Sequence, residues 1–225
     1  MPVLLSGSRA LISTGTRPLQ DQLFARDLPA VRAALGSDAT IAVLKGRANY
    51  VCPHHLERNL ADGRFADPRM PAQLRAIERF AATTDSGDRA EHRELAEDDP
   101  VWSLATSTRD NCLGQDCPQL RRCFVAKARR AAQQADIVIV NHHLFCADLA
   151  LRDEGVAELL PSADAIVFDE AHQLPEIATE FFGESVSTRQ LLDLARDALR
   201  CGLVEAADAA DWRALAARPA RSEVR

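Results

Sequence analysis

The chain has 225 residues, of which 47% are hydrophobic and 27% charged, which is ordinary globular material sufficient for one sizeable core or for a core with a smaller insert. A formal net charge of -6 excludes a protein that is basic all over, as a histone-like binder would be. No stretch approaches the ~18 to 20 consecutive apolar residues of a bilayer span, and Met1 to Leu5 lacks the basic and apolar regions of a signal peptide, so a cytoplasmic protein without membrane contact is expected.

Arg9 to Thr14 is a short apolar segment that runs into Ser-Thr-Gly-Thr, where Thr16 followed by Pro18 reads as the N-cap of a helix. That helix carries Leu19 and Leu23 on one face, falters at Pro29 and ends near Gly36. Ile41 to Leu44 follows as a buried strand. From Lys45 to about Arg130 the chain turns polar and proline-bearing, with one good amphipathic helix around Pro71 to Ala82, so an insertion with only a small apolar core is expected. A helix is expected over Leu120 to Ala135. Ile137 to Val140 and Ala165 to Phe168 then return to the β-branched, wholly apolar pattern of parallel strands covered on both faces. Gln190 to Leu203 places Leu191, Leu194, Ala195 and Leu199 at helical spacing.

Charge is unevenly spread. Between Cys112 and Arg130 stand Arg121, Arg122, Lys127, Arg129 and Arg130 against a single acid, Asp116. The acidic run between Asp85 and Asp99 reads as solvated surface.

Val167-Phe-Asp-Glu-Ala-His172 places adjacent acids at the end of an apolar strand. Nucleotide hydrolysis needs one carboxylate to hold magnesium at the phosphates and a second group to orient or deprotonate water. Asp169 suits the first task and Glu170 the second, with His172 beside them. A phosphate-cradling G-x-x-x-x-G-K-[ST] loop does not occur in the sequence.

Six cysteines in a reducing compartment point to metal or redox chemistry rather than disulfides. Cys52 is followed after fifty-nine residues by Cys112, after four more by Cys117 and after five more by Cys123. One remote and three loosely clustered thiols match iron–sulfur ligation better than the close pairs of structural zinc sites, and both readings, with unrelated buried cysteines as a third, stay open on spacing alone. Cys146 and Cys201 stand apart and are expected to be buried as small apolar residues.

Four blocks resemble the DinG/YoaA branch of the XPD-like superfamily 2 iron–sulfur DNA helicases. Ile12 to Leu23 is similar to helicase motif Ia, Lys45 to Cys52 to the entry into the iron–sulfur domain, Asn141 to Phe145 to the segment after it, and Val167 to His172 to motif II, the DEAH box. The resemblance implies an α/β fold: part of a RecA-like P-loop motor domain, with a parallel sheet, interrupted by a mainly helical iron–sulfur domain. Its parts would be helicase domain 1 over residues 1–45 and 131–186, the cluster domain over 46–130 and the start of an arch domain over 187–225. It implies a [4Fe-4S] cluster on Cys52, Cys112, Cys117 and Cys123. ATP with magnesium would sit at Asp169, and Thr14, Gly15, Thr16, Gln20, Arg47 and Tyr50 would bind DNA. The implied activity is ATP-driven 5′ to 3′ translocation on single-stranded DNA and unwinding of duplexes and forks, in repair or replication and with proteins of those processes as possible partners. Family members carry the lysine-bearing phosphate loop before motif Ia and a second motor domain after the arch, so the sequence looks like a fragment. A non-catalytic DNA-binding module and a zinc-stabilised regulatory domain are the alternatives.

Overall fold

A computed structural model describes residues 5–63, 65, 67–153, 159–184 and 188–216. Four parallel strands form its sheet: β1 (Ala10–Thr14), β2 (Ile41–Val43), β3 (Ile137–Asn141) and β4 (Ala165–Phe168), in the order β2-β3-β1-β4. Ala10 of β1 lies opposite Ile137 on one side and Ala165 on the other, so the three strands end at the same level. That common carboxyl edge is where open α/β sheets bind ligands. The chain is thus α/β with a parallel sheet, as its apolar strand pattern leads one to expect.

β3 is buried along Ile137–Val140, and Leu11, Leu44, Val138, Val140 and Leu160 form the core around it. β4 departs from the expectation. It is an edge strand, and Ile166, Val167 and Phe168 are 49%, 48% and 38% exposed, because none of the described strands pairs with its outer side. Apolar composition reports what a strand is able to bury; its place in the sheet decides what is buried.

After β1 the chain enters α1 (Arg17–Gln22), passes through a π-helical turn (Leu23–Asp27) and continues as α2 (Leu28–Leu35), closed by Gly36 at φ 60°. The expected break at Pro29 occurs one turn earlier. The wider turn absorbs the missing amide and leaves Pro29 in the first turn of α2, where no donor is required.

The insert contains α3 (Pro53–Asp62), α4 (Met70–Thr83) and α5 (Trp102–Ala105). These helices enclose a second, small core that includes Val51, Leu56, Leu74, Ile77, Val101 and Trp102. The Trp102 indole donates to the Ala96 carbonyl at 2.9 Å, so its polar edge is satisfied inside that core. The amphipathic helix expected around Pro71 to Ala82 supplies Leu74 and Ile77, and the rest of the cluster comes from segments distant in sequence. Residues 106–123 follow as an irregular segment with two 3₁₀ turns, at Gly114–Asp116 and Leu120–Arg122, before α6 (Phe124–Gln134).

β3 runs straight into α7 (His142–Asp153), whose first turn is capped by Asn141 Oδ1 accepting from the Leu144 amide at 2.8 Å. Asp148 on α7 is 3% exposed; it accepts from the Leu159 and Leu160 amides and meets Arg152 at 2.7 Å, fixing the returning chain. Beyond β4 comes α8 (Leu174–Phe182).

Residues 182–225 form a separate compact unit. In it α9 (Thr188–Glu205) is followed by α10 (Trp212–Ala216), and the Trp212 ring lies so close to Gly202 that a β-carbon there would meet it at 2.2 Å. The expected arch boundary at position 187 and the side chain of Leu191 fall outside the described residues. No helix among them is long and apolar enough to cross a membrane.

Candidate functional site

Three strand ends converge at the carboxyl edge of the sheet. β1 delivers Ser13 to Thr16, β3 delivers Asn141 and His142, and β4 delivers Asp169 to His172. The Asp169 amide donates to the Ser13 carbonyl at 2.8 Å, which locks the acidic turn onto β1. The side chain of Gln173, just past the acids, lies over Gly15, where a β-carbon would stand 2.6 Å from its Oε1. Glycine is therefore the residue that lets the two loops touch.

Asp169, Glu170 and His172 are exposed, and His172 Nδ1 stands 3.4 Å from Glu170 Oε2. Glu170 is in the left-handed region at φ 54°, ψ 38°, the one non-glycine residue with positive φ among the described residues. Such backbone strain in a residue with a β-carbon is characteristic of functional turns.

Beneath this turn lies His142, fully buried, with Nδ1 2.7 Å from Ser13 Oγ. Burial pushes its imidazole below the ordinary histidine range, while the main chain of Asp169 and Glu170 favours the proton. Its Nε2 has no hydrogen-bond partner among the described residues. The ring supports the turn from inside the sheet; His143, by contrast, faces solvent 3.6 Å from Glu180.

The residues expected to touch DNA divide into two groups. Thr16 is exposed, and Gly15 and Arg47 are partly so. Thr14, Gln20 and Tyr50 are buried. Gln20 donates to the Leu44 carbonyl at 3.3 Å, and the Tyr50 hydroxyl, pushed by burial above the ordinary tyrosine range, accepts from the Lys45 amide at 3.0 Å. The Gln20 amide nitrogen and the Tyr50 hydroxyl thus tie the sheet edge together, while Thr14 Oγ1 and Gln20 Oε1 are buried without a hydrogen-bond partner among the described residues.

Arg47 has no carboxylate partner among the described residues and lies beside Arg129. Burial and the Arg47 charge lower the Arg129 guanidinium, and Cys112 and Cys123 oppose that shift. Both arginines line a cavity of about 530 Å³ together with Cys112 and Cys123. They also line a second cavity, of about 520 Å³, walled by Leu144, Leu151 and Phe181.

Cys52, Cys112, Cys117 and Cys123 are all half-buried free thiols. Cys52 precedes α3 and Cys123 precedes α6, each in the N-cap position. Burial raises the Cys52 thiol, the His55 and His54 amides draw it down, and Cys123 and Cys117 act on it as neighbouring charges. The four thiols thus share one neighbourhood. Among the described residues, however, no three His, Cys, Asp or Glu side chains stand close enough to share one metal ion. A single zinc needs donors at about 2.3 Å from one centre, whereas a cubic cluster takes each thiolate on a different iron. Of the two remaining cysteines, Cys146 is buried as expected and Cys201 is exposed.

The DEAD_2 family model matches residues 104–191, from the cysteine segment through the acidic turn. A protein named ATP-dependent DNA helicase YoaA from Haemophilus influenzae is 50% identical over 196 residues, covering 87% of this chain, and its Escherichia coli namesake is 48% identical over the same length. The chain resembles the DinG/YoaA helicases. The resemblance extends to a more distant protein, named ATP-dependent helicase DinG, from Mycobacterium tuberculosis, 33% identical over 211 residues and 86% of the chain. The chain spans 31% of the length of each of these three DinG/YoaA relatives.

Lys45, Asp21 and Asp88 escaped sequence reasoning altogether. Their partners lie 24 and 43 residues apart, and the nearest signal was a lone lysine opening the Lys-Gly-Arg run.

Proposed function

We propose that this chain forms part of an ATP-dependent DNA helicase of the DinG/YoaA kind, in which ATP hydrolysis drives 5′ to 3′ movement on single-stranded DNA and opening of duplexes. One observation carries the reading. The strained Asp169-Glu170 turn sits at the carboxyl edge of a parallel sheet and is tied by main-chain and side-chain contact to the Ser13–Thr16 loop. In this reading Asp169 holds the magnesium of ATP, Glu170 orients the attacking water, and His172 steadies Glu170. Gly15, Thr16 and Arg47 contact single-stranded DNA, with Thr14, Gln20 and Tyr50 behind them.

Cys52, Cys112, Cys117 and Cys123 are the proposed ligands of a [4Fe-4S] cluster, which would supply a rigid anchor, and redox capacity, to the irregular 106–123 segment. Residues 46–130 form the cluster domain in this scheme, flanked by 1–45 and 131–186 of the motor domain, with the arch beginning at 187. Repair or replication in the cytoplasm is the proposed setting.

Magnesium-dependent ATP hydrolysis, measured with and without single-stranded DNA, tests the proposal. DNA should stimulate turnover, and Glu170→Gln should lower it about a hundredfold or more. Equal rates in both proteins would place hydrolysis elsewhere. Because the 225 residues contain no lysine-bearing phosphate loop, a second reading is a cluster-bearing module that binds DNA without hydrolysing ATP. DNA binding with no DNA-stimulated turnover is its signature.

A further inference from the structure

Lys45 is 2% exposed at its side chain, and its ammonium lies 2.6 Å from Asp21 Oδ1 and 2.6 Å from Asp88 Oδ2. Burial opposes the charge, but the hydrogen bonds to Asp21 and Asp88 outweigh it and hold the ammonium above the ordinary lysine range. The two carboxylates belong to different parts of the molecule. Asp21 is on α1, the helix that directly follows the Ser13–Thr16 loop, and Asp88 is in the insert.

Asp88 is in turn anchored near the first cysteine. It pairs with Tyr50 in an antiparallel bridge, the Val51 amide donates to the Gly87 carbonyl at 2.8 Å, and the Cys52 amide donates to the Ala105 carbonyl at 2.7 Å. The other Asp88 oxygen accepts from the Ala90 amide, so the carboxylate has a fixed direction. A second link runs parallel to the first: Arg17, opening α1, donates to Asn49 Oδ1 at 2.9 Å and meets Glu97 at 3.4 Å. A continuous set of contacts therefore leads from Cys52 through Asp88 and Lys45 to α1.

We propose that Lys45 is a positioning residue, whose ammonium, shared between the insert and α1, sets the helix that presents Gly15 and Thr16 to single-stranded DNA. Integrity of the cysteine segment is then communicated to the DNA-facing loop by displacement of α1 as well as by any contact of the insert with DNA. This rests on the DNA-binding reading of the Ser13–Thr16 loop. Removing the shared ammonium would leave Asp21 and Asp88 without their counter-charge, so both ends of the link depend on Lys45.

The test uses the intact 225-residue chain purified without oxygen. Asp21 is half-exposed, and Asp21→Ala cuts only the α1 end of the link while leaving Lys45 paired with Asp88. Backbone hydrogen exchange should accelerate over residues 17–22 and stay unchanged over the 51–105 core, and affinity for a fluorescent single-stranded oligonucleotide should fall about fivefold or more. Chelating iron from the wild type should accelerate exchange in the same helix, with no further acceleration in Asp21→Ala. Lys45→Met should loosen both ends. Unchanged exchange over 17–22 in Asp21→Ala overturns the proposal, as does unchanged affinity when the wild type binds. Failure of the wild type to bind any oligonucleotide would instead refute the DNA-binding reading, and with it the role given to Lys45, even if the exchange result confirmed the mechanical link.

Discussion

Glu170 occupies a backbone conformation that costs a residue with a β-carbon about 1 kcal/mol or more, and it does so at the surface, where a glycine would be free to replace it. Glu170→Gly should therefore stabilise the chain against urea by up to about 1 kcal/mol, part of the relief being offset by the greater freedom of glycine in the unfolded chain. A fall in the urea midpoint would show that the turn is unstrained. His142 provides a second check at this scale. Its imidazole lies below the ordinary value of 6.5 through burial, so the folded chain binds the proton less readily than the unfolded chain. Its contribution is complete above that value and is lost as pH falls through the depressed folded value. His142→Gln should be less stable than wild type at pH 8, and the difference should shrink by pH 5, as read by urea titration at both. A constant difference would mean that the ring is not held neutral.

The elements differ in what stabilises them. Trp102 is 2% exposed at the centre of the insert's apolar core, and Trp102→Ala should cost about 3 to 5 kcal/mol, loosening the whole of 51–105. Cys117→Ser acts on a segment that has only 3₁₀ turns and little apolar burial, so it should expose 106–123 to protease while the Trp102 core stays protected. Simultaneous loss of both regions would contradict this division. The strands were legible in the sequence because β-branched runs such as Ile137 to Val140 are short, continuous and bounded by polar residues. α7 was not, because it follows β3 without a turn signal, and its cap is the last residue of the strand, Asn141. The insert core was legible only in its amphipathic helix, because Leu56 and Trp102 reach Leu74 and Ile77 only through the tertiary fold. The acidic run is solvated surface, as expected, except at Asp88, and nothing near Asp88 in sequence reveals Lys45 as its buried partner. At the site, Asp169 and Glu170 were legible as chemistry, whereas the burial of Thr14, Gln20 and Tyr50 depended on how α1 and the insert close over the sheet edge.

For the molecule as a whole, a net charge of -6 combined with the local Arg47–Arg129 pair implies that any grip on DNA is confined to a small patch. Affinity for single strands should therefore fall with salt, with a log–log slope near −0.7 for each phosphate contacted and few contacts in total. A flat response would exclude phosphate contact. The cysteine neighbourhood and the acidic edge occupy the same compact unit, residues 1–181, and the account requires the first to be a ligand set. The most direct measurement is the metal and sulfide content of protein purified without oxygen, together with its visible absorbance. The account predicts a brown protein with about four iron and four sulfide per chain, lost when Cys112 is replaced by serine. A colourless protein that carries zinc, or no metal, would contradict it.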